Sequence, residues 1–217
     1  MKNPMATTAV FAALTVGNAA NAQGMGGDFY ASVFGGLSSS VATADYSASG
    51  YDVSVDYESE AGYILGATVG TSINANARAE AEFSFESNTI GTVVLDVDGS
   101  TASGDAVDDF VVTTTYLMGN VWFDFGRSAQ VVPYAGGGLG VVFVNSAIDG
   151  DDFFDPATGI AFQVGAGVQL PVVTGSVDVG SRFKGFTGAE FESTAGTTTF
   201  DGSGYSNVLQ AAYVLKF

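Results

Sequence analysis

The chain has 217 residues, 47% of them hydrophobic, and carries 23 Asp and Glu against 6 Lys and Arg, for a formal net charge of -17. It contains no Cys and no His, which excludes a disulfide framework, a thiolate zinc site and any hydrolase that needs an imidazole base. Charge of this sign argues against nucleic acid as a partner, and the longest apolar run beyond the N-terminal region, AGGGLGVVFV at 135–144, is far short of the ~18 residues that a spanning helix needs.

The N-terminal 22 residues combine a basic start at Lys2, an apolar stretch from Met5 to Val16 and the small-residue exit Ala20-Asn21-Ala22. This pattern predicts a cleaved secretory signal peptide over 1–22 and one domain over 23–217. Eight segments then alternate in polarity: about 28–37, 58–73, 77–86, 113–125, 131–144, 157–170, 177–186 and 204–217. The third is the clearest: Ala77, Ala79, Ala81, Phe83 and Phe85 fall on one face, and Arg78, Glu80, Glu82, Ser84 and Glu86 on the other. Side chains of an extended chain point alternately to its two faces, so this is a strand with one apolar and one polar side. The sixth repeats the pattern, with Ile160, Phe162, Val164, Ala166 and Val168 opposed to Gln163, Gly165, Gly167 and Gln169. The last sets Leu209, Ala211, Tyr213, Leu215 and Phe217 against Gln210 and Lys216. Lipid outside and a polar lumen inside satisfy such strands. The inverse arrangement, a soluble lipid carrier, would bury Arg78, Glu80 and Glu82 in grease or expose Phe83 and Phe85 to water.

Connections between the segments alternate too. Those at 74–76, 126–130 and 171–176 are short; those at 38–57, 87–112, 145–156 and 187–203 are long. The fold expected is therefore all-β: an eight-stranded antiparallel up-and-down transmembrane barrel with its long loops outward. The stretches ARAEAEF (77–83), PYAGGGLGV (133–141), FQVGAGVQL (162–170), VDVGSRFK (177–184) and terminal YVLKF, in this order, resemble the small eight-stranded outer-membrane barrel family that includes the transmembrane part of outer membrane protein A and the opacity-type surface proteins. The resemblance implies a Gram-negative outer-membrane location and contact with its lipid. It also implies insertion by the barrel-assembly machinery, with Tyr213, Leu215 and Phe217 as the terminal signal. Ser181 departs from the family, which often has an aromatic before the Arg.

After residue 22 only five basic residues remain, Arg78, Arg127, Arg182, Lys184 and Lys216. Alternation directs Arg78, Arg182, Lys184 and Lys216 into the lumen with Glu60, Glu80, Glu82, Glu86, Asp124 and Asp178. Arg182 and Lys184 are expected at mid-height with Glu80 and Glu82, and Lys216 beside Asp178. Such a set is either a plug of satisfied charges, which the width of eight strands favours, or the gate of a narrow porin-like channel. The glycines Gly136, Gly138 and Gly140 share a face with Tyr134; with no Lys-Ser/Thr after them they make space rather than a phosphate loop.

The four long loops hold fifteen acids and no Lys or Arg. The runs LDVDGSTASGD (95–105) and IDGDDFFD (148–155) offer oxygen ligands that divalent cations favour, but neither has calcium-loop spacing, and solvated acidic loops are the plainer reading. Tyr46, Tyr51, Tyr57, Phe153, Phe154 and Phe200 are either a contact surface or the upper rim of an interfacial girdle. No catalytic, cofactor-binding or metal-ligating residue is expected. The function expected is that of a monomeric, non-enzymatic envelope protein acting structurally or through its acidic surface, with the narrow channel as the alternative.

Overall fold

The computed structural model describes residues 29–48, 51–106, 110–126, 130–148, 151–152, 156–192 and 199–217; the expected signal peptide lies outside them. Eleven strands form one antiparallel sheet: β1 (Phe29–Ala48), β2 (Tyr51–Ser59), β3 (Gly62–Ser72), β4 (Ala77–Val97), β5 (Ser100–Asp105), β6 (Phe110–Asp124), β7 (Val132–Ile148), β8 (Asp151–Asp152), β9 (Ala157–Val172), β10 (Gly175–Glu192) and β11 (Thr199–Lys216). β2 and β3 continue one another along β1 and β4, and β11 pairs back onto β1, so eight staves close a ring. Among the described residues, closure pairs each stave with two neighbours, as a backbone facing lipid requires.

The belt is apolar outside. Val33, Leu65, Val69, Phe83, Leu139, Val164 and Leu209 are each about half exposed or more, and the rings of Phe162, Phe183 and Tyr205 follow one another across three staves at 6.4 and 5.6 Å. Apolar exposure on this scale is stable only against lipid.

The staves outrun that belt. β4, at 21 residues, measures ~70 Å along the strand at ~3.4 Å per residue, or roughly 50 Å of height after tilting, against an apolar band of about 25 Å. The excess lies at the long-connection end. There most described residues of the segments expected as loops at 38–57 and 87–112 are paired strand: β1 folds onto β2 from Val41↔Glu58 to Ala48↔Tyr51, and β4 onto β5 from Thr92↔Asp105 to Val97↔Ser100. The second hairpin turns on Asp98-Gly99, both left-handed at φ 51° and 83°, the Asp-Gly pair that a two-residue hairpin demands. Asp96 Oδ1 accepts from the Gly99 amide at 2.9 Å. The acidic run 95–105 is thus a hairpin with a capped turn, and among the described residues no three His, Cys, Asp or Glu groups converge on a metal position. Of the run 148–155, only part lies within the described residues.

Candidate functional site: the charged lumen

Even-numbered residues of β1, β3, β6, β7 and β11, those of β4 as far as Ile90, and odd-numbered residues of β9 face the axis, as the alternating burial in the belt records. Three layers of polar side chains follow from the turn end upward.

The lowest is centred on Arg78, whose guanidinium meets Glu80 at 2.8 Å, Asp124 at 3.1 Å and Asp178 at 3.8 Å. With its amide oxygen turned inward, Gln169 accepts from the same group at 3.0 and 3.3 Å. Glu80 also accepts from Tyr30 and from the Trp122 indole, each at 2.8 Å. Arg182 comes from the opposite wall, donates to the Tyr134 hydroxyl at 2.8 Å and lies 4.2 Å over the Trp122 ring. That hydroxyl passes its own proton toward Asp178 at 2.5 Å. An aromatic face and a hydroxyl relay therefore link a cation to a carboxylate that it does not touch.

Lys184 dominates the middle layer. Wholly buried, its ammonium sits 2.5 Å from Glu82 and 3.0 Å from Ser84 Oγ, and 4.6 Å from the centre of the Tyr116 ring. Glu82 receives further donors from Ser84, Asn120 and Gln163 at 2.8–2.9 Å. In the third layer Glu86 accepts from Asn88 at 2.9 Å and Ser206 at 3.1 Å, and Asn88 in turn accepts from Ser38.

Glycines opposite the bulky groups let these layers fit. A Cβ on Gly136 would lie 2.7 Å from the Trp122 ring, and one on Gly138 would overlap the Asn120 amide. The Tyr134 hydroxyl likewise lies across Gly167 and Gly180.

Two of the expected lumen charges are elsewhere. Glu60 is exposed, because a bulge separates β2 from β3: Val41 pairs with Glu58 and Ser38 with Gly62, so three residues, Ser59, Glu60 and Ala61, oppose two, Ser39 and Ser40. The extra residue reverses the inward parity above it, which alternation counted from β3 misses. Lys216 keeps the inward parity but ends exposed at the turn-end mouth, and Asp178 is taken by Tyr134 and Arg78 instead. Sequence reasoning missed Tyr30, Tyr134 and Gln169 as partners of the ions, although their inward parity was readable.

Below Arg78 the lumen widens into a cavity of about 520 Å³ bordered by Tyr30, Asp124, Gln169, Ser176 and Lys216. Near it, on the outward face, Tyr213, Leu215 and Phe217 present half-exposed side chains.

No protein-family model matches the chain, and no curated protein sequence does. Solved structures do. Neisserial surface protein A superposes with a TM-score of 0.57 at 19% identity, over 87% of this chain and 97% of that one. The outer membrane protease OmpT from Escherichia coli gives 0.50 at 8% identity, over 88% and 97%. Ail, the attachment invasion locus protein of Yersinia pestis, gives 0.43 at 14% identity, over 87% and 99%. The chain has the fold of the small outer-membrane β-barrels.

Proposed function

We propose that this outer-membrane-type barrel is a monomeric, non-enzymatic envelope protein with a plugged lumen, working at the cell surface through its acidic hairpins. The observation that carries the reading is the stack of layers: Arg78, Lys184 and Glu86 each stand among mutually bonded side chains that reach from one wall of the lumen to another. Supporting it, the ring leaves no belt strand edge to be paired by a second copy. The long hairpins carry Asp45, Asp56, Asp96, Asp105, Glu190 and Asp201 without a Lys or Arg. A one-signed surface of this kind selects against anionic partners and favours cationic ones, with dependence on salt and divalent ions. Export with loss of residues 1–22, and insertion guided by Tyr213, Leu215 and Phe217, belong to the same proposal.

A narrow channel is the second reading, favoured by the 520 Å³ cavity that reaches Arg78 from the turn end. Around the axis above it, three cations (Arg78, Arg182, Lys184) meet five carboxylates (Glu80, Glu82, Glu86, Asp124, Asp178), so such a channel would prefer cations. Planar-bilayer recording on barrels whose insertion is verified by protease protection separates the two. A silent membrane is expected; discrete steps whose size changes with Glu82→Gln would overturn the plug.

A further inference from the structure

Above the belt β1, β2, β4 and β5 pair in that order and form a wall with two unlike faces. Residues directly opposite across a strand pair share a face. Tyr57, edge-on to the inward ring of Phe110 at 5.5 Å, marks the inner one. Val53, Val55, Val93, Leu95 and Val97 share it, followed on β5 by Ser100, Ala102 and Gly104. Asp56, Asp96 and Asp105 lie on the outer face with Thr101 and Ser103.

The wall ends at β5. Among the described residues β5 pairs with β4 alone, and the next stave, β7, is paired to β6 only as far as Phe110↔Ile148. Every second residue of an antiparallel strand turns both its N–H and its C=O to the same side, so half of β5 offers its backbone away from the wall. All six of its residues are exposed. Such an edge is ordinarily blunted by Lys, Pro or a bulge; the run STASGD has no Lys or Pro, and its register to β4 is unbroken. The upper edge of β10, by contrast, carries Glu190 and Glu192 and a register shift between Phe186 and Ala189.

What the edge takes follows from its neighbours. Leu95 is 40% exposed on the water side of the belt, because the β5 residues beside it are small: Ala102 stands opposite, and a Cβ on Gly104 would meet nothing within 4 Å. Large apolar side chains on an added strand can therefore lie across β5 onto Leu95 and Val93. On the outer face Asp105 stands on the edge itself and Asp96 one strand in, and no Lys or Arg occurs between residues 78 and 127. Cations on the alternate positions of the added strand suit that face. A second copy's β5, small and acidic, supplies neither.

We propose that the free edge of β5 docks an extended segment of a partner protein in which large apolar residues alternate with Lys or Arg. The segment adds a strand to the wall: its backbone bonds to β5, its apolar side chains cover Leu95 and Val93, and its cations face Asp105 and Asp96. This rests on the surface role proposed above and names the partner's chemistry. Pairing at the edge is separable from attraction to the acidic hairpins at large, since only pairing needs the partner's backbone.

The test uses the whole barrel in nanodiscs of zwitterionic lipid and a fluorescent peptide of about eight residues alternating Lys with Val or Phe, read by anisotropy and by hydrogen exchange of the barrel. Saturable binding that slows exchange within 100–105 is expected. The same peptide with its backbone N-methylated should bind about tenfold more weakly, because the bonds to β5 are lost. Ala102→Glu should also weaken binding about tenfold, by setting a charge on the apolar face of the edge, although it adds to the attraction for a cation. Equal binding of the methylated peptide, tighter binding to Ala102→Glu, or protection outside 100–105 would overturn the edge site and leave the acidic-surface reading standing. Failure of both peptides to bind would count against both. Dimerisation of the barrel through 100–105, seen by sedimentation, would give the edge to a second copy and overturn the assignment of the partner.

Discussion

Replacing Lys184 by Met should destabilise the barrel by about 3–5 kcal/mol, the usual cost of stranding one member of a buried ion pair. Lys184 is wholly buried and its ammonium is the one cation in contact with Glu82 among the described residues. Met fills the stem's volume, so the loss isolates the charge. Glu82 would keep Ser84, Asn120 and Gln163 as donors, which soften the penalty without neutralising it. Adding Glu82→Gln should restore most of the stability, because an uncharged amide leaves no ion to compensate. Urea titration of folding into lipid vesicles, read by the gel shift of the folded barrel, closes the cycle. A coupling near zero between the two substitutions would refute the picture of a paired core; a coupling of about 2–3 kcal/mol is expected.

Arginine at Leu139 should cost about 2–4 kcal/mol, the penalty for a cation on the lipid face near the bilayer midplane. Leu139 is 69% exposed and is flanked across the sheet by Gly119 and Phe162, so no neighbouring side chain on the Gly119 side can shield the charge. The same substitution at Val173, fully exposed in the tight turn between β9 and β10, should cost about 0–1 kcal/mol, because the guanidinium there reaches the interface. Equal losses at the two positions would mean that the belt is misplaced along the axis.

Both expectations rest on alternation that can be read in the sequence. ARAEAEFSFE places Glu82 inward and Phe83 outward without any structure, and the inward set on β4, β6 and β10 follows from the same count. What alternation did not reveal is the upper half. Within the belt, outward residues are apolar and inward ones polar. Above it the outside meets water and the inside is apolar, as at Asp56 against Val55 and Tyr57, so the two halves of a strand carry opposite codes and the upper half reads as loop. The bulge at Glu60 compounds the error by moving the phase one residue. Partner choice within the lumen was equally hidden. Parity gives the face of Arg182 but not whether its guanidinium ends on a carboxylate or, as here, on Tyr134 and Trp122; that depends on stagger between walls, set by the shear of the whole ring.

The seam between β1 and β11 has a consequence for how the chain must be made. Val33 pairs with Tyr213, a contact that joins residues about 180 apart in sequence, and bringing such distant ends together costs about 5 kcal/mol of chain entropy before any bond repays it. Each remaining pairing of neighbouring staves can form by hairpin closure, but the sixteen paired positions of the seam arrive together and last. Until the seam closes, the outer edges of β1 and β11 wait unpaired. The growing sheet is therefore most vulnerable to misassociation just before completion, and a factor that shields the exposed edge of β1 would speed assembly more than one that promotes any single hairpin.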